Sequence, residues 1–363
     1  MTASALSTRP LGRTLVTGGA GFIGTAIAPL LDSATEIVAF DNLHPQIHSS
    51  GDRPEALDPR VTLVVGDVSV AEDWDRVLAD FHPDTIIHLA AETGTGQSLS
   101  ESTRHATVNV VGTTQMLDAL RRNETMPGRI VLTSSRAVYG EGAWKNSDGD
   151  IAYPGQRSVA QLESAQWDFP DAEPVAMDAS SVTPSPVSVY AATKLAQEHL
   201  IQTWADSFGV EAVVLRLQNV YGPGQSLINP YTGIMSLFCR MAMGGKSIPL
   251  YEDGAVRRDF ILIDDVASAV VAAATVSPAP RRALDIGLGS VHTISDAAEL
   301  ISAEYGAPAP HVTGAYRLGD VRHAWADIDR AQRELDWTPQ YSLRDGIHRL
   351  VNWINDQPDV QPA

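Results

Sequence analysis

Cysteine is all but absent from the 363-residue chain, where Cys239 stands alone. One thiol cannot build an internal disulfide framework or a cysteine-ligated metal site, so no metal is expected, and it fits a reducing, cytoplasmic setting. Beside Phe238 it reads as a small buried hydrophobe. Basic residues are scarce as well, 26 Lys and Arg against 44 Asp and Glu, for a formal net charge of −18. A field of that sign repels nucleic-acid backbones and anionic membranes, so neither is an expected partner. Any phosphate-bearing ligand must be gripped by a few local cations. Long apolar runs are missing too: "VASAVVAAATV", from Val266, is too short to span a bilayer and reads as a packed helix capped by Asp265. The N-terminal "MTASALSTRPLGR" holds no stretch of signal-peptide length.

What is present is the composition of a folded globular protein, 44% hydrophobic and 19% charged, long enough for one large domain or two joined ones. Short β-branched runs alternate with helical patterns: "RTLVTG", "FIGTAIAPLLD", "EIVAFD", "VTLVVGD", "DTIIHLAA", "RIVLTSS", "VEAVVLRL". That alternation predicts an α/β fold, a doubly wound parallel (Rossmann) sheet with helices on both faces. After Gly222 the pattern loosens into a smaller C-terminal α/β domain. The expected boundaries are 12–222 for the nucleotide-binding domain and 223–358 for the substrate domain, with 256–277 returning to the first. A ligand cleft between them is expected. Residues 141–188, rich in Asp, Ser and Pro and without clear periodicity, form a long insertion that reads either as a lid over the site or as a solvated surface excursion.

"TGGAGFIG" sets Gly18, Gly21 and Gly24 at G-x-x-G-x-x-G spacing between a strand and an apolar helix. Glycines there permit a tight turn and let a pyrophosphate reach backbone N–H groups at the helix N-terminus, flanked by Phe22 and Ile23. The next strand ends in Asp41, placed to accept from the adenosine ribose hydroxyls and to repel a 2′-phosphate, which favours NAD over NADP. Asn42 follows it, and Asp67 and Val68 end the third strand where the adenine is expected.

"PVSVYAATKLAQEHLIQTWADSFG" predicts a helix entered after Pro186 and ended at Gly209, with Leu195, Leu200, Ile201, Trp204 and Phe208 as its buried stripe. Tyr190 and Lys194 lie one turn apart on it. An ammonium there would stabilise a phenolate, lowering the tyrosine pKa from about 10 towards working pH. Together with "SSRAVYG" at a strand end, these motifs occur in the order of the extended short-chain dehydrogenase/reductase family, which the chain resembles over nearly its whole length. The resemblance implies Tyr190 as acid/base, Lys194 orienting it and the nicotinamide ribose, and Ser135 bonding the reacting hydroxyl. It further implies cofactor contacts at Leu89, Ala90 and Ala91 of "HLAA", at Asn109, and at Val220. His88 itself reads as a satisfied core histidine.

Within the family the chain is similar to the nucleotide-sugar epimerase/dehydratase branch, and "HLAAETGTGQS", "LQNVYGPGQSL" and "NPYTGI" resemble dTDP-L-rhamnose 4-epimerase-like proteins. This implies a nucleotide-diphosphate sugar substrate, a dTDP-6-deoxyhexose, contacted by Thr93, Asn219, Asn229 and Tyr251, and by Arg136 unless that arginine pairs instead with an acid of the long insertion. Arg258 and Arg317 would clamp the diphosphate, since guanidinium groups suit phosphate oxygens. A homodimer formed through residues 103–120 and the Tyr190 helix is implied too. The 4,6-dehydratases of this branch carry an acidic pair after the catalytic Ser or Thr. Here those positions are Arg136 and Ala137, and neither exchanges a proton near neutral pH. Epimerisation at C4 is therefore expected ahead of dehydration, with a UDP-hexose epimerase, another nucleotide-sugar oxidoreductase and a non-catalytic dinucleotide sensor as alternatives.

Overall fold

The computed structural model describes residues 6–48, 50–227, 233–358 and 360–362. Its centre is a seven-stranded sheet built from β1 (Gly12–Thr17), β2 (Ala34–Asp41), β3 (Val61–Val65), β4 (Thr85–His88), β5 (Arg129–Ser135), β6 (Glu211–Leu217) and β7 (Leu284–Ile286). Every pairing is parallel, in the order β7-β6-β5-β4-β1-β2-β3. The order reverses between β1 and β4, and a dinucleotide binds at such a reversal, beyond the carboxyl ends of the strands.

Continuous apolar strands follow from burial on both faces. One face packs on α1 (Phe22–Ile27), the other on α2 (Ala71–Asp80), α3 (Gly112–Arg122) and α4 (Val189–Phe208); α5 (Ile263–Thr275) joins the first. Beyond α5, β7 adds residues 284–286 to a sheet the sequence reading closed at Leu217. Three apolar residues between Pro- and Gly-rich turns gave no signal of their own. Asp265 is not the cap of α5 but its third residue; its carboxylate accepts from the N–H groups of Gln340 (2.8 Å) and Tyr341 (3.2 Å), tying the C-terminal segment to the helix.

A separate core holds the C-terminal part, where helices Ile234–Met243, Ile294–Tyr305 and Leu343–Asn355 close over Tyr221 and Phe260. Cys239 is fully buried in it beside Phe238, and burial pushes its thiol up to about 12. No helix among the described residues is long and apolar enough to cross a membrane.

The 141–188 insertion has structure of its own and is anchored by ions, although most of residues 145–166 are exposed. Strands Trp144–Asn146, Ile151–Ala152 and Ala172–Pro174 form a small antiparallel sheet, and Ser158 caps a short helix reciprocally with Gln161. Arg157, nearly fully buried, bridges Glu141 and Glu252, and Arg322 joins Glu252 to Asp253 and Asp168. The unit is thus bolted to the C-terminal part through ions that no periodicity reveals.

Candidate active site

β5 delivers Ser135 at its carboxyl end, where the chain tightens into a 3₁₀ turn over Arg136–Tyr139; the Ser135 hydroxyl oxygen accepts from Ala137 N–H at 3.2 Å. Opposite lies α4, capped by Ser188 and ended by Gly209 in the left-handed region, as its sequence signals predict. Its buried face is not the expected stripe. Ala191, Lys194, Gln197, Glu198, Ile201 and Ala205 point inward, whereas Leu195, Leu200 and Trp204 are only partly buried and Phe208 is 44% exposed. The helix turns Lys194 and Glu198 to the sheet, while Leu195, Leu200 and Trp204 pack along the edges of the cores and Phe208 is exposed.

Tyr190 is held up in pKa by burial, against the Ser135 hydroxyl and the Arg136 charge, which both favour its phenolate. Lys194 is 2% exposed, and burial brings it down to about 7 against the opposing pull of Glu198. Asn109 sits in a π-helical turn, Thr107–Val111, a distortion frequent at functional sites. Its amide donates to Thr193 Oγ1 at 2.9 Å and to Glu92 O at 3.0 Å, while its oxygen accepts from Glu92 N–H at 2.8 Å. With both N–H groups donating within the protein, Asn109 ties the loop after β4 to α4, the helix of Tyr190. His105 makes a similar tie, one ring nitrogen 3.2 Å from Thr93 O and its ring edge-on to Tyr190 at 6.4 Å. His88 is the satisfied core histidine expected, between Thr17 (2.7 Å) and Thr113 (3.1 Å).

On the nucleotide side the glycines divide the work. Gly18 has φ +66° and lies so near Ala90 that a Cβ would come 2.8 Å from its nitrogen, and a Cβ on Gly24 would meet Gly19 O at 2.4 Å. Gly21 is different: a Cβ there would touch only Gly18 O, at 3.3 Å, so its surroundings are open where a diphosphate would approach. Asp41 is buried and fixed by Ala20 N–H (3.0 Å) and Leu43 N–H (2.9 Å), a carboxylate locked between the glycine loop and the β2 end. Asn42 donates to Asp67 at 3.1 Å. Burial raises the Asp67 carboxyl but is outweighed by Ser69 and Asn42, so its pKa lies low. Phe22 and Ile23 are partly buried, the former against Gly224. Leu89, Ala90 and Val220 pack on the sheet's cores beside Ala91, and the Val68 side chain is buried, its carbonyl accepting from Trp74 Nε1 at 2.8 Å.

On the substrate side Arg136 Nε donates to Asn219 Oδ1 at 2.8 Å. Arg258 donates to the carbonyls of Val321 (2.6 Å) and Arg322 (3.0 Å), and burial together with Arg136 brings it down to about 9. Arg317 is exposed, stacked 5.1 Å from the ring of Tyr251. The two arginines expected to clamp a diphosphate thus differ, one inside near Arg136 and one at the rim. Asn229 lies outside the described residues.

The sequence profile described as the NAD dependent epimerase/dehydratase family matches residues 14–287. The chain belongs to this family. It is 56% identical over 346 residues to the dTDP-L-rhamnose 4-epimerase of Burkholderia thailandensis, covering 95% of each chain. UDP-glucose 4-epimerase of Mycolicibacterium smegmatis is 31% identical over 354 residues, 95% of this chain and 99% of that one. Among solved structures, UDP-glucose 4-epimerase of Thermus thermophilus in complex with NAD matches with a TM-score of 0.74 at 25% identity, over 95% of this chain and 99% of that one. The cofactor of this family member is NAD, and the open Gly21 with the fixed Asp41 carboxylate suits it.

Sequence reasoning missed several residues of this epimerase-family site. Glu198 and Arg216 pair under α4, and Asp259, fully buried, accepts from Leu288, Gly289 and Ala326 N–H groups with its pKa raised to about 6 by burial. Charged residues inside apolar stretches, Arg216 in "VVLRL" above all, were the available signal.

Proposed function

We propose that the chain epimerises a nucleotide-linked sugar at C4, with dTDP-L-rhamnose as substrate and dTDP-6-deoxy-L-talose as product. The observation that carries this is the 56% identity over 95% of both chains to a dTDP-L-rhamnose 4-epimerase. NAD, held by the glycine loop and Asp41, would supply the acceptor and later the donor of a hydride at C4. Tyr190, as phenolate, takes the proton of the C4 hydroxyl while the C4–H bond gives up its hydride, leaving a 4-keto sugar. Ser135 bonds the reacting oxygen, and Lys194 supports the phenolate. The keto sugar then presents its other face, hydride returns to C4, and Tyr190 gives back the proton, so no cofactor is consumed. Gly18, Gly21, Gly24, Asp41 and the backbone around Val68 and Ala90 hold the cofactor in this reading; Arg136, Asn219, Arg258, Arg317 and Tyr251 face the sugar diphosphate. The 12–222 and 223–358 division, with β7 added to the first part, frames the cleft.

Dehydration is disfavoured by the same turn. Arg136 and Ala137 stand where a proton-transferring acidic pair would be needed. Of the buried carboxylates nearby, Glu141 is engaged by Arg157 and by Arg322 N–H, and Asp259 by three backbone N–H groups.

Homodimerisation through α3 and α4 is part of the proposal. Leu117, Leu200, Thr203, Trp204 and Phe208 line an open apolar groove between these helices. A cytoplasmic setting fits the lone buried thiol.

The test is incubation of the protein with dTDP-L-rhamnose, UDP-glucose or dTDP-glucose, with products identified by NMR. The expected result is a 4-epimer from dTDP-L-rhamnose without NADH accumulation. A 4-keto-6-deoxy product from dTDP-glucose, or turnover of UDP-glucose alone, overturns the proposal.

A further inference from the structure

β1 is flanked in the sheet by β2 on one side and β4 on the other. Beyond its carboxyl end lie Gly18 and the open Gly21, where the family's dinucleotide binds. The segments that leave β2 and β4 are joined to each other. After β2 the Asp41 carboxylate accepts from Leu43 N–H, and the chain runs on to Gln46; after β4 it passes Glu92 and forms the short helices Gln97–Ser100 and Ser102–Ala106. Gln46 and Gln97 exchange amide hydrogen bonds in both directions, at 3.2 and 3.3 Å. Arg104 binds both segments at once. Its Nη2 donates to Gln46 Oε1 at 3.0 Å and lies 2.8 Å from Glu92 Oε2, while Nη1 lies 2.9 Å from Glu101 Oε2. Glu101 also accepts from Gln97 Nε2 at 3.1 Å, and Asn109 holds Glu92 by both of its backbone groups. Because β1 separates β2 from β4, every bond between these two segments crosses the end of β1.

We infer that Arg104, Gln46 and Gln97 form a cofactor-retaining strap: they close the crevice beyond β1 between the β2 and β4 segments, and NAD enters or leaves only when their bonds break. The role of Arg104 is mechanical. Two carboxylates already match its charge, so it serves as a bolt between the segments and not as a ligand of the diphosphate. The Glu92 side chain is 14% exposed, which shields this pair better than an ordinary surface salt bridge. Gln97 is buried, so its amide bonds to Gln46 are also withdrawn from competing water. This role rests on NAD as the cofactor, and it suits the proposed epimerisation. A hydride that returns to the sugar in every cycle needs a cofactor that stays, whereas a net oxidation would need NADH to leave after each turnover.

The test is the rate at which bound NAD exchanges with an excess of radiolabelled NAD, read by rapid gel filtration, with the melting temperature of the NAD-stripped protein as control. In Gln46→Ala, which leaves Arg104 on its two carboxylates, and in Arg104→Met, exchange is expected to be about tenfold faster than in wild type, the effect of losing one such bond from the closed state. The double variant should exchange within about twofold of the faster single variant, since either change alone opens the strap. Exchange in Gln46→Ala within about twofold of wild type overturns the inference, and so does a double variant in which the two accelerations multiply. An acceleration that comes with a fall of more than about 5 °C in the melting temperature of the stripped protein marks general loosening and overturns it too. Should Arg104→Met fail to fold, Gln46→Ala decides alone. A wild-type protein that neither carries nor binds NAD removes the cofactor assignment and the strap with it, while the products formed from dTDP-L-rhamnose judge epimerisation separately.

Discussion

The Nε of Arg136 donates to Asn219 Oδ1 at 2.8 Å, and no described residue takes up the two terminal nitrogens of the same guanidinium. Asn219 therefore aims the arginine without spending it. Burial lowers the pKa of Arg136, while Asp320, Tyr190, Glu141 and Asp259 hold its charge in place. A cation so placed, one residue after Ser135, is suited to oxygen atoms of the substrate.

Replacing Arg136 with Met removes those donors and leaves the turn intact. A charge-assisted hydrogen bond contributes about 1.5–3 kcal/mol, so kcat/KM for the sugar nucleotide is expected to fall about 10- to 100-fold. Asn219→Ala, which frees the arginine from its aim and removes one uncharged substrate contact, costs less. Steady-state kinetics on purified product formation decide it: wild-type kcat/KM in Arg136→Met sinks the assignment.

The residues that anchor this site were unequally legible. Gly18, Gly21, Gly24 and Asp41 announce themselves because a backbone that must bend and open to phosphate tolerates few residue types, and Tyr190 and Lys194 because helix geometry ties their spacing to one face. The α4 stripe misled for a related reason. Periodicity locates an apolar face but says nothing of whether it meets the sheet or another chain, and here Lys194 and Glu198 occupy the buried side. The insertion was opaque because ion pairs between residues such as Arg157 and Glu252, 95 positions apart, leave no trace in local pattern. Asp265 looked like a cap because caps and buried anchors share the same residue type.

Those long-range ions make a stability prediction. Arg157 contacts Glu252 through two nitrogens at 2.9 Å and Glu141 at 3.3 Å, all nearly fully buried. Arg157→Ala leaves two carboxylates short of a partner in the interior, at a cost of about 3–5 kcal/mol. Denaturant unfolding reads the loss, and limited proteolysis should cut first between residues 144 and 182. Added salt should change the wild-type stability little, because the pairs are shielded from it. A variant as stable and as protease-resistant as wild type contradicts the anchoring.

His88 predicts an acid-side loss of stability. Burial lowers its pKa from 6.5 to about 3, the Lys194 charge contributing. Between those values the unfolded chain binds a proton that the native state refuses, so stability falls as pH falls below about 6.5, by at most about 1.4 kcal/mol per unit. Asp259 and Asp285, raised to about 6 and about 7 by burial, act with the opposite sign, since their protonated native forms lose stability as pH rises. Comparing wild type with His88→Gln cancels their contribution. Urea unfolding at pH 7.5, 6 and 5 should show a shallower acid slope in the variant despite its lower stability at pH 7.5; parallel slopes refute the neutral buried histidine.

The outward side of α4 predicts the assembly. Trp204 and Phe208 meet with ring centroids 5.1 Å apart at a tilt of 54°, Arg121 lies 4.6 Å from the Phe208 ring, and Val111, at the start of the neighbouring helix, is 42% exposed. Covering a large apolar side chain contributes about 1.5–3 kcal/mol, and a two-fold pairing of this face would bury each residue twice. Wild-type protein should therefore sediment as a dimer at micromolar concentration, and Trp204→Glu, which puts a charge into the groove, as a monomer. Because α4 also carries Tyr190 and Lys194, separation of the subunits should lower the melting temperature and the epimerase rate together. A wild-type protein that sediments as a monomer, or a Trp204→Glu variant that stays dimeric, removes this face from the interface.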